Sequence, residues 1–334
     1  MANYVRRSDD QGVAILAIDN PPANAFSDGV LTELFKAIEA CHADPDVEAI
    51  VVTGTKGKFS AGIDIMMLGS DLDIAGGRAA AVTNLSQQLE EGPKPTVAAI
   101  EGVCLGAGLE LALACSARVA VRTAVLGLPE VRLGLLPGMG GTQRLPRLAD
   151  LDEALRLIAT GATVTAPKAQ ELGFVDVICD GLDELLASAG RRARDMAQGS
   201  IPRPPPTLTR EDRLPDREAL AQAVGLAQLQ LQRDWMNARS SLLALDAVET
   251  GLLEGPQAGM DKEGAYFDRA LQTPVHKALA SAFFAHRAMK KARNPAQWLV
   301  RWLYALWTRV VALAALAWEW WRPVPSSEPV RKTD

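Results

Sequence analysis

Thr96-Val-Ala-Ala-Ile100, followed by Gly106-Ala-Gly-Leu-Glu110, is the stretch whose reading decides the fold. Lys94-Pro95 lead into a short run of strand type, and a helical pattern begins near Ala107. The two glycines therefore stand at a strand-to-helix junction. Upstream, V-A-I-L-A-I-D from Val13 to Asp19 reads as a strand ending in a turn at Asn20-Pro21-Pro22. Ser27 can cap a helix over about 28–42, and Ala49 to Thr53 is a second strand closed by Gly54. Downstream, the pattern predicts a strand near 117–122 and helices over about 151–160 and 166–172, with Ile178 closing the compact part. Strands alternating with helices predict an α/β class fold with ligand sites at the strand-to-helix loops.

Composition sets the outer bounds. The chain has 334 residues, 48% of them hydrophobic and 22% charged, which is enough for one large domain or two modest ones. The net charge is -5 without a basic block, so a nucleic-acid partner is not expected. Cys41, Cys104, Cys115 and Cys179 are scattered and form no C-x-x-C pair. Neither a metal site nor a disulfide framework is expected, and a reducing, cytoplasmic setting is. The polar start of the chain does not resemble a secretory signal. Beyond the core pattern, Ile201 to Pro215 carries so much proline that it reads as a semi-rigid linker. Leu220, Val224, Ala227, Leu231 and Trp235 then return to helical spacing, with breaks near Gly255-Pro256 and Thr273-Pro274. The expected organisation is a domain over 1–200, a linker over 201–215, a helical region over 216–293 and an apolar tail helix over 294–334.

Four stretches can carry chemistry. Phe59-Ser-Ala-Gly-Ile-Asp64 follows a strand, and Gly62 would let a ligand approach the backbone and the Ile63 N–H. Taken alone, this is as easily a simple turn. The glycines before Glu110 leave free donors at a helix N-terminus, the Ala107 N–H among them. Together with the Ile63 N–H this would make an oxyanion hole if the fold brings the two loops together. Glu110 lies in the apolar segment L-E-L-A-L-A-C and Glu130 follows Leu128-Pro129. Desolvated carboxyls of this kind gain pKa values suited to proton transfer. The alternatives are a solvated helix face and a cap. Gly134-Leu-Leu-Pro-Gly-Met-Gly-Gly-Thr-Gln143 resembles a phosphate cradle but meets neither nucleotide fingerprint. It is either a tight loop before a helix or a turn whose backbone at Gly138 holds a water.

Taken together and in order, Asn20-Pro-Pro-Ala-Asn-Ala-Phe-Ser27, Phe59–Asp64, Gly106–Glu110, Pro129-Glu130 and Gly134–Gln143 resemble the crotonase (enoyl-CoA hydratase/isomerase) superfamily over about residues 10–195. Glu110 and Glu130 are 20 residues apart, as in its hydratases. The resemblance implies a ββα-spiral and an acyl-CoA thioester substrate, with no separate cofactor. It implies that the Ile63 and Ala107 N–H groups hold the thioester oxygen while Glu110 and Glu130 perform syn hydration of a trans-2-enoyl-CoA. Gly138 would position the water, and Ala61, Gly62, Ile63, Asp64 and Gly106 would line the CoA and substrate path. Two positions depart from the pattern: Ala107 stands where glycine is common and Ile63 where alanine is usual. The bulk of Ile63 is expected to narrow the acyl pocket.

Residues 216–291 resemble the linker helices of multifunctional fatty-acid oxidation enzymes, in which the hydratase precedes a dehydrogenase. Only 43 residues follow Lys291 here, so dehydrogenase activity is not expected. In that family the linker helices complete the hydratase in cis, which leaves a homo-oligomer or a partner dehydrogenase or thiolase open. Trp298 to Trp321 could span about 36 Å as a helix. Tryptophans near its ends suit a membrane interface, although Arg309 interrupts it. The tail is either a membrane contact, a helix packed on the domain or the end of an interrupted longer gene. The leading expectation is an enoyl-CoA hydratase of β-oxidation. A Δ3,Δ2-enoyl-CoA isomerase and a membrane-tethered acyl-CoA binding or scaffold protein are the alternatives.

Overall fold

The computed structural model describes residues 3–64, 79–231 and 238–290, with single positions 302, 306, 310 and 314 beyond them. The tail expectation over 298–321 therefore lies outside the described residues, as does Trp235. Among the described residues no helix is long and apolar enough to cross a membrane.

The chain opens with a charged strand β1 (Val5–Asp10), which pairs antiparallel with β2 (Val13–Ile18). Its sequence VRRSDD is almost wholly exposed, as suits a protected sheet edge. Helix α1 (Asp28–Ala43) is capped by Ser27, whose hydroxyl accepts from the Val30 N–H at 3.3 Å. It leads to β3 (Ala49–Gly54), and α2 (Ala79–Glu91) leads to β4 (Thr96–Ile100). Then come β5 (Val103–Leu105), α3 (Ala107–Ala114), β6 (Ala117–Val121), β7 (Val125–Gly127) and a 3-10 turn over Pro129–Leu133. Next follow α4 (Gly141–Leu148), α5 (Leu151–Thr160), β8 (Thr163–Thr165), α6 (Ala166–Leu172), β9 (Val177–Cys179) and α7 (Leu182–Ala197).

One sheet has the order β1-β2-β3-β4-β6-β9, with every pair after β1-β2 parallel. Strands β4 and β6 are buried throughout, and β3 is buried up to its final glycine. This is why they read as continuous apolar runs without alternation: a parallel sheet is covered on both faces. A small second sheet, β5-β7-β8, stands beside the start of α3.

The expectation that Ile178 closes the compact part is corrected. The first compact unit runs from Met1 to Leu271 and includes α7, α8 (Arg217–Leu231), α9 (Ala238–Leu253) and α10 (Pro256–Leu271). The physical reason is that α4 is buried on all eight residues, polar ones included, and α9 and α10 supply part of its cover. Arg147 donates to the Gly251 carbonyl at 2.7 Å and Gln143 to the Ala247 carbonyl at 2.9 Å. Gly251 makes this approach possible, since a Cβ there would lie 1.7 Å from Gln143 Oε1. The proline-rich stretch also lies against the body: Glu90 accepts from the Leu208 N–H at 2.9 Å, and buried Thr207 donates to the Leu113 carbonyl. The second unit, Gln272–Asp334, contains α11 (Pro274–Lys290), which opens at the expected Thr273-Pro274 break.

Candidate active site

The fold brings together the two loops that the sequence only suggested. Ser60 and Leu105 hydrogen-bond through their backbones, and the Ser60 hydroxyl donates to the Asn24 carbonyl at 2.7 Å. Gly62 adopts φ +91, and a Cβ at that position would lie 2.9 Å from the Leu105 carbonyl oxygen and 3.3 Å from the Ala107 nitrogen. The 60–64 loop is thus pressed onto the Gly106 turn, and only glycine fits between them. In the bridge between Phe26 and Ile63, the bonds come from the Phe26 N–H to the Gly62 carbonyl and from the Asp64 N–H to the Phe26 carbonyl. The Ile63 N–H takes no part in that ladder. Ala107 is the first residue of α3, where an N–H has no partner inside the helix. Ala61 is exposed, Ile63 and Asp64 are half-buried, and Gly62 is buried. The Ile63 side chain packs against the core.

Helix α3 is apolar around its whole circumference and buried on every residue, which takes Glu110 into the interior with it. Its Oε1 accepts from the Met139 and Gly141 N–H groups, both at 2.8 Å. Desolvation raises its pKa to about 7, and the N–H donors, Arg144 and the Gly138 amide pull against that rise. Gly138 itself lies under Phe267 of α10, whose ring would be 2.8 Å from a Cβ at that position.

Glu130 is held differently. The 3-10 turn places its Oε1 2.8 Å from where a Cβ on Gly106 would be. As a residue it is half-buried, but its Oε2 is enclosed and has no hydrogen-bond partner among the described residues. Burial, followed by repulsion from Glu110, pushes its pKa well above the usual carboxylate range. Two neighbouring carboxyls thus have different surroundings: one oxygen of Glu110 is gripped by two donors, and one oxygen of Glu130 has none.

Three participants were not assigned a role from the sequence. Glu263 on α10 is 1% exposed, and its Oε1 accepts from the Gly140 N–H at 2.6 Å. Its Oε2 accepts from the Thr142 N–H at 3.0 Å and from the Thr142 hydroxyl. Arg144 of α4 and Glu90 of α2 form a buried ion pair at 2.8 Å, and Arg144 also donates to the Met139 carbonyl. A signal for Glu263 was present: it lies four residues after Gly259, on the face of α10 that is otherwise small or apolar.

A sequence profile described as enoyl-CoA hydratase/isomerase matches residues 8–205. The chain is 43% identical over 288 residues to a glyoxysomal fatty acid beta-oxidation multifunctional protein MFP-a of Cucumis sativus, covering 84% of this chain and 39% of that protein. It is 40% identical over 203 residues to a probable enoyl-CoA hydratase of Bacillus subtilis, covering 59% of this chain and 78% of that one. Among solved structures, Pseudomonas aeruginosa DspI superposes with a TM-score of 0.57 at 27% identity, covering 81% of this chain and 96% of that one. The fold is that of the crotonases, α/β with a C-terminal helical region. The chain belongs to the enoyl-CoA hydratase/isomerase family.

Proposed function

We propose that the chain adds water to a trans-2-enoyl-CoA, giving the 3-hydroxyacyl-CoA. The observation that carries this reading is the asymmetry of the two carboxyls. Glu110, stabilised as an anion by two N–H donors, takes a proton from water as the oxygen bonds to C3. Glu130, which has no donor to support a negative charge on Oε2, is held as the acid and delivers a proton to C2. Between these events the thioester oxygen carries negative charge, and the Ile63 and Ala107 N–H groups are the donors that receive it. Each turnover leaves the proton on Glu110 and removes it from Glu130, so the pair must exchange protons with solvent before the next. Gly138 acts through its amide near Glu110, and the 61–64 loop with Gly106 forms the substrate path. Partner enzymes that supply the enoyl thioester or consume the hydroxyacyl product would be separate from the residues described here.

Loss of enoyl-thioester absorbance with crotonyl-CoA and a longer 2-enoyl-CoA tests the reading. Wild type is expected to turn over at least one of them, with a bell-shaped pH profile. The acid limb falls near pH 7, because Glu110 must be ionised and its pKa is about 7. Glu110→Gln is expected to lower kcat by about 10²–10⁴-fold. No wild-type hydration on either substrate, with 3-enoyl-CoA converted instead, would replace the hydratase by an isomerase.

Gly62→Ala should separate the oxyanion donors. The new methyl group meets the Leu105 carbonyl and lies near the Ala107 nitrogen, at a φ that L side chains rarely adopt. A loss in kcat/KM of about 10²–10³-fold is expected, the size of a missing oxyanion donor. Unchanged kinetics would mean that these two amides do not hold the substrate oxygen.

A further inference from the structure

Four successive amides at the start of α4 alternate between two carboxylates. Met139 and Gly141 donate to Glu110, while Gly140 and Thr142 donate to Glu263. The N-terminal turn is thus held from both sides, by α3 and by α10. We propose that Glu263 is a positioning residue for Glu110: it fixes the 139–142 turn so that the alternate N–H groups meet the Glu110 carboxylate. This rests on the hydratase reading for its catalytic consequence.

The geometry favours more than a cap. A helix cap needs one acceptor, yet Glu263 uses both oxygens and three donors at a position reached from 121 residues away in sequence. The carboxylate is fully interior, and burial followed by repulsion from Glu110 raises its pKa to about 8. The groups that bear on the pair are Glu130 of the 3-10 turn, which Glu263 also repels, and Arg144 of α4, which favours the Glu110 anion. Asp246 of α9 is engaged by Lys262 and Tyr266 instead.

Glu263→Gln keeps the volume but puts an NH2 against one of the donors. Two changes follow. The turn loosens around Glu110, so kcat is expected to fall about ten- to a hundred-fold while KM for the enoyl-CoA stays within about two-fold. The loosened turn offers the Glu110 anion weaker donors, so Glu110 ionises less readily and the acid limb of the kcat profile moves to higher pH. The second change has a readout that needs no turnover. The infrared carboxylic-acid band that disappears in Glu110→Gln is titrated in the full chain, and its midpoint is expected to shift up in Glu263→Gln. A midpoint that matches wild type, with only the melting temperature lowered, would make Glu263 a structural cap and overturn the proposal. Should Glu263→Gln fail to fold, Thr142→Val decides. It removes one tie between Glu263 and the turn and is expected to shift the Glu110 midpoint up by a smaller step; an unmoved midpoint there overturns the proposal equally. Failure of wild type to hydrate 2-enoyl-CoA would sink the functional reading and leave the titration to judge the coupling.

Discussion

Glu130→Gln is expected to melt at a higher temperature than wild type at pH 8 while hydrating 2-enoyl-CoA about 10²–10⁴-fold more slowly. The two effects share one cause. Glu130 is buried at its Oε2 and lacks a donor there, and it faces Glu110 and Glu263, so its carboxyl resists ionisation in the folded chain. In the unfolded chain it ionises in the ordinary carboxylate range. A group whose folded pKa is raised is compatible with folding below its unfolded pKa, and it opposes folding increasingly as pH rises through and above that value. Glutamine does not titrate. The difference in melting temperature should therefore be small at pH 4, grow above about pH 5 and level off past the folded pKa, at roughly 2–4 °C per kcal/mol. Calorimetry across that range checks the sign. A melting temperature for Glu130→Gln below wild type at pH 8 would show that Oε2 is supported in the folded chain, and would remove the argument that Glu130 is the acid.

How far the sequence led depends on whether a feature is local. Strands β2, β3, β4 and β6 were legible because parallel strands buried on both faces leave unbroken apolar runs. The Ser27 cap was legible because capping is a matter of three adjacent residues. Strand β1 was not, since an edge strand of charged residues has neither an apolar run nor alternation. Glu110 and Glu130 could be singled out, but their difference could not: which carboxyl receives donors is set by the 139–141 amides, 29 and 31 residues from Glu110. Glu263 is the extreme case. Its place on the small, apolar face of α10 marks it as unusual, but its partners are more than a hundred residues away and nothing local says what it holds. Ile178 looked like an end because the β-pattern stops there, whereas the burial of α4 requires helices much later in the chain.

Arg144→Met is expected to lower stability by about 3–5 kcal/mol, because it leaves Glu90 as an uncompensated interior charge. Arg144 and Glu90 expose 2% and 3% of their side chains, and two Arg144 nitrogens reach the same Glu90 oxygen at 2.8 and 3.0 Å. Removing both charges is less damaging than removing one, because no uncompensated interior charge is left. Glu90→Gln/Arg144→Met should therefore recover most of the lost stability in thermal melts, though Glu90 also accepts the Leu208 N–H and glutamine must keep that bond. A single variant that melts within about 1 °C of wild type would sink the claim that the pair is closed to water. Arg144 has a second effect at the site. It favours the Glu110 anion and binds the Met139 carbonyl, so its loss should move the acid limb of kcat to higher pH. The direction is that expected for Glu263→Gln, where the cause is the loosened turn. A double variant with restored melting and an acid limb still displaced upward would separate the two roles: Glu90 and Arg144 hold α2 to α4, and Arg144 alone bears on the Glu110 proton. If restoring stability also restored the limb, the effect on Glu110 would come from movement of the 139–142 turn and not from the charge of the guanidinium.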